Sequence, residues 1–238
     1  NWLFTNKHLD LKGEVMHRME RDIRLLELIG VQESFVWPPF QYASTDQVVV
    51  DEFLSEIGGE GPLIVLNPGT SSWFKSKRWD PDYYASVADY LVLSRNAKVV
   101  INWGPDEIEV VDQIMAAATA KIFRAPDLKN MRQVGYLMSQ ADLVVGSDTG
   151  PVHLAAVQKI DTIILFGPYD PRFYYPFGHK ERAVYMNLAC SPCRYRDCPT
   201  VDCMRLISPT KIAHLCDAVL DGTPIPEPNL KPNKGAPT

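Results

Sequence analysis

Ala141-Asp142-Leu143-Val144-Val145-Gly146-Ser147-Asp148-Thr149-Gly150-Pro151-Val152-His153-Leu154-Ala155-Ala156 decides the fold. A short apolar strand runs into a tight polar turn and straight into a helix of small residues. Such a junction aims backbone N–H groups and the positive end of a helix dipole at one point past the strand, where anions bind, phosphates above all. In an open α/β sheet, ligands collect at the carboxyl ends of the strands. The stretch therefore reads as a diphosphate site in a nucleotide-using protein.

The pattern repeats on either side. Leu63-Ile64-Val65-Leu66, Val99-Val100-Ile101, a short segment near Ile122-Phe123, Leu143-Val144-Val145, Thr162 to Phe166 and Ala183 to Met186 read as strands. Between them, helices are expected over Pro81–Leu93 (Asp80 as N-cap, Pro81 at the first helical position), Asp106–Ala118, Met131–Ser139 and Gly150–Val157. A closing helix is expected over Pro209–Leu220 with Ser208 as its cap, and an early one over Glu14–Ile29, ended by Gly30. Strands of four or five apolar residues alternating with helices of about a dozen imply βα repeats. They predict an α/β, Rossmann-like parallel sheet with helices on both faces. Val36 to Phe40 reads as an extended, proline-stiffened link. Residues Gly58 to Pro62 are a break, and the proline-rich run from Asp221 to Thr238 is expected to be extended or disordered unless it docks.

The chain has 238 residues, 46% hydrophobic and 22% charged, with a net charge of −5. That suits a globular protein with a sizeable core and gives no bulk attraction for nucleic acid or anionic lipid. No apolar run reaches the roughly 20 residues that a spanning helix needs. The opening Asn1 to Lys7 lacks the basic-then-apolar pattern of a signal peptide. The first residue is Asn rather than Met, which reads as a piece of a longer protein.

In a parallel sheet the loops after the strands share one rim, and three of them carry unusual chemistry. The first, Asn67 to Trp79, offers hydroxyls and three cations within four positions, Lys75, Lys77 and Arg78. Hydroxyls with Lys and Arg suit a diphosphate; the alternative is a solvated loop. The second, Asn102 to Glu109, offers a carboxylate able to accept both ribose hydroxyls; the alternative is acidic residues favouring a helix dipole. The third is Ser147 to His153. There Gly150 lets a ligand approach the backbone, Thr149 offers a hydroxyl and an N–H, and His153 lies one turn in. Asp148 is better cast as an acceptor for sugar hydroxyls than as a phosphate neighbour. A helix cap would require neither Gly150 nor His153, which favours the functional reading.

These loops together resemble glycosyltransferase family 9, the ADP-heptose:lipopolysaccharide heptosyltransferases. The residues that carry the likeness are Lys77-Arg78-Trp79, Gly104-Pro105-Asp106-Glu107, Ala141-Asp142-Leu143, Asp148-Thr149-Gly150-Pro151-Val152-His153 and Phe166-Gly167-Pro168. A cysteine-bearing loop, Cys190 to Met204, adds to it, and the match runs from about Leu63 to Leu220. The resemblance implies a GT-B fold of two Rossmann-like domains. Residues 1–41 would be the end of the N-terminal acceptor domain and linker. Residues 42–222 would be the nucleotide-sugar donor domain, and 223–238 a Pro-rich tail. It implies inverting transfer of a heptose or related sugar, with ADP-heptose as donor, to lipopolysaccharide core or a related glycan. No cofactor would be required. The acceptor would be met through an N-terminal domain absent here, which makes activity of this chain alone doubtful. Cytoplasmic placement with peripheral contact at the inner membrane is implied too.

Residue by residue, the likeness makes Lys77 and Asp148 the catalytic pair. Lys77 would neutralise the diphosphate, Thr70 and Ser71 would offer it hydroxyls, and Asp148 would bind the sugar. Asp106 would take the ribose, with Glu107 competing because the register is ambiguous by one. Leu128 would pack on adenine. Thr149 and Gly150 would bind phosphate through their amides, and His153 would lie near the phosphates or ribose. Cys190, Cys193, Cys198 and Cys203, with gaps of two, four and four, are candidates for zinc or an iron–sulfur cluster. Paired C-x-x-C knuckles would be the stronger zinc signal, and reduced thiols or a redox-sensitive loop is the competing reading. Arg194, Arg196 and Arg205 interleave with these cysteines, so the loop reads as a basic patch near the cleft. Two other function classes fit the sequence: another nucleotide-sugar enzyme such as an epimerase, and a metal-bound interaction module.

Overall fold

A computed structural model describes residues 8–11, 13–32 and 40–230. The first seven residues, most of the proline link (Val36 to Pro39) and the last prolines of the tail (Pro232 and Pro237) lie outside them. Six strands form one sheet: β1 (Leu63–Asn67), β2 (Lys98–Ile101), β3 (Phe123–Arg124), β4 (Leu143–Ser147), β5 (Thr162–Phe166) and β6 (Ala183–Tyr185). Their spatial order is β3-β2-β1-β4-β5-β6, and every neighbouring pair is parallel. This is the doubly wound order whose crevice opens where the winding reverses, between β1 and β4. The Rossmann-like α/β expectation holds.

Alternation along the strands builds two cores. Ile64 and Leu66 of β1, Leu143 and Val145 of β4, and Ile163 and Leu165 of β5 face one side. They pack against α3 (Pro81–Arg95), α4 (Ile108–Ala117) and α8 (Pro209–Leu220). Leu63, Val65, Val144, Ile164 and Phe166 face the other, against α2 (Ser44–Ile57), α5 (Met131–Ser139) and α6 (Gly150–Val157). Strands buried on both faces read as unbroken apolar runs, which is why they were legible. Gly146 is where β4 must pass close to β1. A Cβ built there would lie 2.6 Å from the Asn67 carbonyl oxygen and 2.7 Å from a methyl of Val152.

Several boundaries differ from expectation. The early helix, α1, runs Arg18–Leu28, not from Glu14. His17 stops it, because its backbone is extended and its ring accepts from the Met19 N–H. Helix α4 begins at Ile108 because Pro105–Glu107 forms a separate 3-10 turn. Helix α2 was not anticipated; its Val48-Val49-Val50 run has no helical periodicity, yet Val50 is fully buried. The four-residue α7 (Asp202–Arg205) was missed as well. The tail docks as far as it is described: Leu230 is buried in the second core, Ile225 packs on the first, and Glu227 pairs with Lys180.

Candidate functional site

A cavity of about 890 Å³ opens at the carboxyl ends of β1, β2 and β4. The loop after β1 delivers Lys77. Two residues on, Trp79 is buried, packs edge-on against Tyr84 (4.8 Å between ring centres) and donates its indole N–H to the Ile207 carbonyl at 2.9 Å. That anchor holds the preceding 3-10 turn, Lys75–Lys77, so that Lys77 lines the cavity. The Lys-x-Trp spacing thus has a mechanical meaning, an apolar root two residues from a functional cation.

The Lys77 ammonium donates to the Asp148 carboxylate at 2.6 Å and to the Asp148 carbonyl at 3.0 Å. It faces the Tyr169 ring at 4.1 Å and the Phe74 ring at 5.5 Å, a cation–π cage. The other Asp148 oxygen meets His153 Nε2 at 2.8 Å. Burial pushes the Asp148 carboxyl up, but the His153 hydrogen bond and the Lys77 charge outweigh it, so the group lies below its ordinary value. Both carboxylate oxygens are therefore occupied. Asp148 thereby aligns Lys77 and His153 on the cavity.

Helix α6 starts at Gly150, with Thr149 as a cap residue whose side chain does not cap. Its hydroxyl instead donates to the Ser147 carbonyl at 3.2 Å and accepts from Asn67 Nδ2 at 3.2 Å. Space above Gly150 is open, with nothing within 4 Å of where a Cβ would be. An uncapped helix start facing a cavity is suited to an anion. Asn102 donates to Asn67 Oδ1 at 2.7 Å, so an amide relay crosses the ends of β2, β1 and β4. Its own Oδ1 is buried with no partner among the described residues, an acceptor open to a ligand. Asn67, Asn102, Trp103 and Tyr169 line the cavity and were not singled out from sequence. The amides sit at strand ends and carry no motif of their own.

Glu107, not Asp106, lines the cavity; Asp106 is exposed in the same 3-10 turn. The Glu107 carboxylate accepts from the Gly104 N–H at 2.8 Å, and burial pushes its pKa up against that bond and Arg78. Gly69 leaves room for it, since a Cβ there would stand 1.9 Å from Glu107 Oε2 and the carboxylate would have to move. Ser71 and Leu128 line the cavity. Thr70 does too, but its hydroxyl is committed to the loop, donating to the Phe74 carbonyl at 3.2 Å and accepting from Arg78 Nε at 3.1 Å.

The cysteine segment lies outside the cavity. Among the described residues, no group of three or more His, Cys, Asp or Glu side chains is arranged to hold a metal ion. All five cysteines are free thiols. Burial pushes Cys203 up to about 12, while backbone N–H groups of Val201 and Thr200 draw Cys198 down. No described helix is long and apolar enough to cross a membrane.

Residues 1–203 match the model of glycosyltransferase family 9 (heptosyltransferase). A lipooligosaccharide heptosyltransferase 2 of Campylobacter jejuni is 32% identical over 157 residues, covering 63% of this chain and 48% of that protein. Lipopolysaccharide heptosyltransferase 3 of Escherichia coli is 30% identical over 164 residues, covering 68% and 47%. A glycosyltransferase family 9 structure from Veillonella parvula superposes with TM-score 0.77 at 23% identity, over 92% of this chain and 64% of that one. E. coli ADP-heptose lps heptosyltransferase II gives 0.70 at 22%, over 91% and 65%. At such identity the structural likeness is one of fold. The chain spans about half the length of the curated relatives it matches.

Proposed function

We propose, from the premise that this chain belongs to glycosyltransferase family 9, that it holds the nucleotide-sugar donor in an inverting glycosyl transfer. The donor is ADP-heptose and the acceptor lipopolysaccharide core or a related glycan. The observation that carries the reading is the Lys77 ammonium set beside the uncapped start of α6 on one open cavity. The diphosphate sits on the Thr149 and Gly150 amides. Its charge draws Lys77 partly off Asp148. Glu107 takes the ribose hydroxyls in place of Asp106. Leu128 packs on the base, and the free Asn102 oxygen accepts a donor hydroxyl.

In the transfer, an acceptor hydroxyl attacks the anomeric carbon as the bond to the diphosphate oxygen breaks. ADP leaves, and the acceptor proton passes to a base. Charge grows on the departing phosphate, where Lys77 and the α6 amides stabilise it most in the transition state. The acceptor domain and the base belong, in this reading, to the further length of the relatives, with residues 1–41 leading from it and 42–222 as the donor domain. The whole protein acts at the cytoplasmic face of the inner membrane. Isothermal titration with ADP tests the donor site: saturable binding, weakened at least about tenfold by Lys77→Ala, is expected. A folded chain that takes no ADP at millimolar concentration would overturn the reading.

A further inference from the structure

Beside the cavity, two loops form a surface that the donor reading does not use. Ser76 ties them together: its N–H donates to the Arg196 carbonyl at 3.2 Å and its hydroxyl to the Tyr195 carbonyl at 2.5 Å. The second loop is also tied to the end of β5, with the Cys193 and Arg194 N–H groups both 2.9 Å from the Pro168 carbonyl. Lys75, Arg194 and Arg196 are exposed on this joined surface, and among the described residues no ion pair within 4.0 Å holds any of them. Asp197 is exposed in the same turn and pairs with none of them. Two large aromatics stand out beside the cations: Trp73 is 72% exposed and Tyr195 66%. The Arg196 guanidinium lies over the Phe74 ring at 5.2 Å, and the same ring lines the cavity near Lys77. One ring therefore separates the outer cations from the candidate diphosphate site.

We infer that this surface receives the anionic part of the acceptor glycan, a saccharide bearing phosphate or carboxylate groups. The inference rests on the donor reading. Unpaired guanidinium groups suit phosphate and carboxylate, which they can engage bidentately. Exposed Trp and Tyr rings offer flat apolar faces for sugars to stack on, and exposed aromatics grouped on one surface mark an interaction site. The position favours a glycan over a lipid headgroup, because an acceptor must reach the donor sugar and this surface adjoins the cavity that would hold it.

The test titrates this chain, by NMR, with a lipid-free phosphorylated core oligosaccharide, the same oligosaccharide after dephosphorylation, and anionic phosphatidylglycerol vesicles. ADP is measured in parallel. The expected result is saturable binding of the phosphorylated glycan, with Arg194→Ala/Arg196→Ala weakening it by about fivefold to tenfold. Dephosphorylation should cost as much and add nothing in the variant, and Trp73→Ala should weaken both glycan forms. ADP affinity should be unchanged in both variants. Absent glycan binding at millimolar concentration, an unaffected double variant, or a loss confined to vesicles would each overturn the inference. Lost ADP binding in the unaltered chain would instead sink the donor reading.

Discussion

At the scale of single residues, Lys77 and Asp148 form the pivot of the site. Their side chains are only 14% and 8% exposed. Removing the ammonium alone strands a carboxylate, so Lys77→Ala should lower stability by about 2 kcal/mol, below the range for a wholly buried pair because both groups border the cavity. Lys77→Ala/Asp148→Ala should recover part of that loss, as read by urea denaturation; strictly additive losses would show that the pair is not coupled. The lowered Asp148 pKa gives a sign as well. The folded state prefers the carboxylate, so this contribution is present above the ordinary value of about 3.9 and is lost as pH falls below it. Asp148→Asn should remove that part of the acid dependence in a melting series. Gly69→Ala belongs here too: its methyl would displace the Glu107 carboxylate, so ADP should bind several-fold more weakly while adenosine-free stability barely moves. Unaltered ADP affinity would remove Glu107 from the ribose role. Legibility was uneven among these residues. Asp148 and His153 lie in a strand–turn–helix junction that sequence displays, and Lys77 in a cation-bearing loop two residues before a tryptophan. The choice between Asp106 and Glu107 could not be read, because a 3-10 turn, not an α-helix, decides which carboxylate faces inward.

Among the elements, α1 depends on an unusual seat. None of its residues is buried; Arg18 donates to the Tyr174 hydroxyl at 3.1 and 3.2 Å, and the buried His17 just before the helix seats it on the domain. One ring nitrogen accepts from the Met19 N–H and the other meets the Tyr175 carbonyl at 2.9 Å, which fixes a neutral ring. Burial lowers the His17 pKa, with His153 lowering it further and the Tyr175 carbonyl and Glu20 opposing. The unfolded ring takes up a proton first, so this seat is intact above the ordinary value of 6.5 and weakens as pH falls below it. Amide protection at Met19 to Asp22, taken relative to the intrinsic exchange rate at each pH, should fall between pH 7.5 and 5.5, and His17→Asn should flatten that response. Protection that does not change with pH would refute it. The βα elements were legible because strands covered on both faces are uniformly apolar. Helix α2 was not, since its buried stripe is narrow and three consecutive valines mask the period.

Across the whole molecule, the sheet order brings the loops after β1, β2 and β4 to one rim, with Lys77, Glu107, Asp148 and His153 on a common cavity. The polypeptide after α8 runs back over both cores. A chain ending at Thr223 loses the burial of Ile225 and Leu230 and the Lys180–Glu227 pair. It should unfold about 2 kcal/mol more easily, mostly from Leu230; an unchanged urea midpoint would mean that the tail is a passenger. Composition alone gave that segment no fold, because prolines disfavour helix and sheet without preventing an extended chain from docking.

The cage around Lys77 has one more consequence. With its ammonium held by Asp148 and two aromatic rings, Lys77 is not a free charge. An anion that settles on the α6 amides must compete with a carboxylate for the lysine. In the proposed donor pose a diphosphate, with its several negative oxygens and its tether through base and ribose, competes better than chloride or a lone phosphate ion. The internal contact would then favour the tethered ligand over small abundant anions.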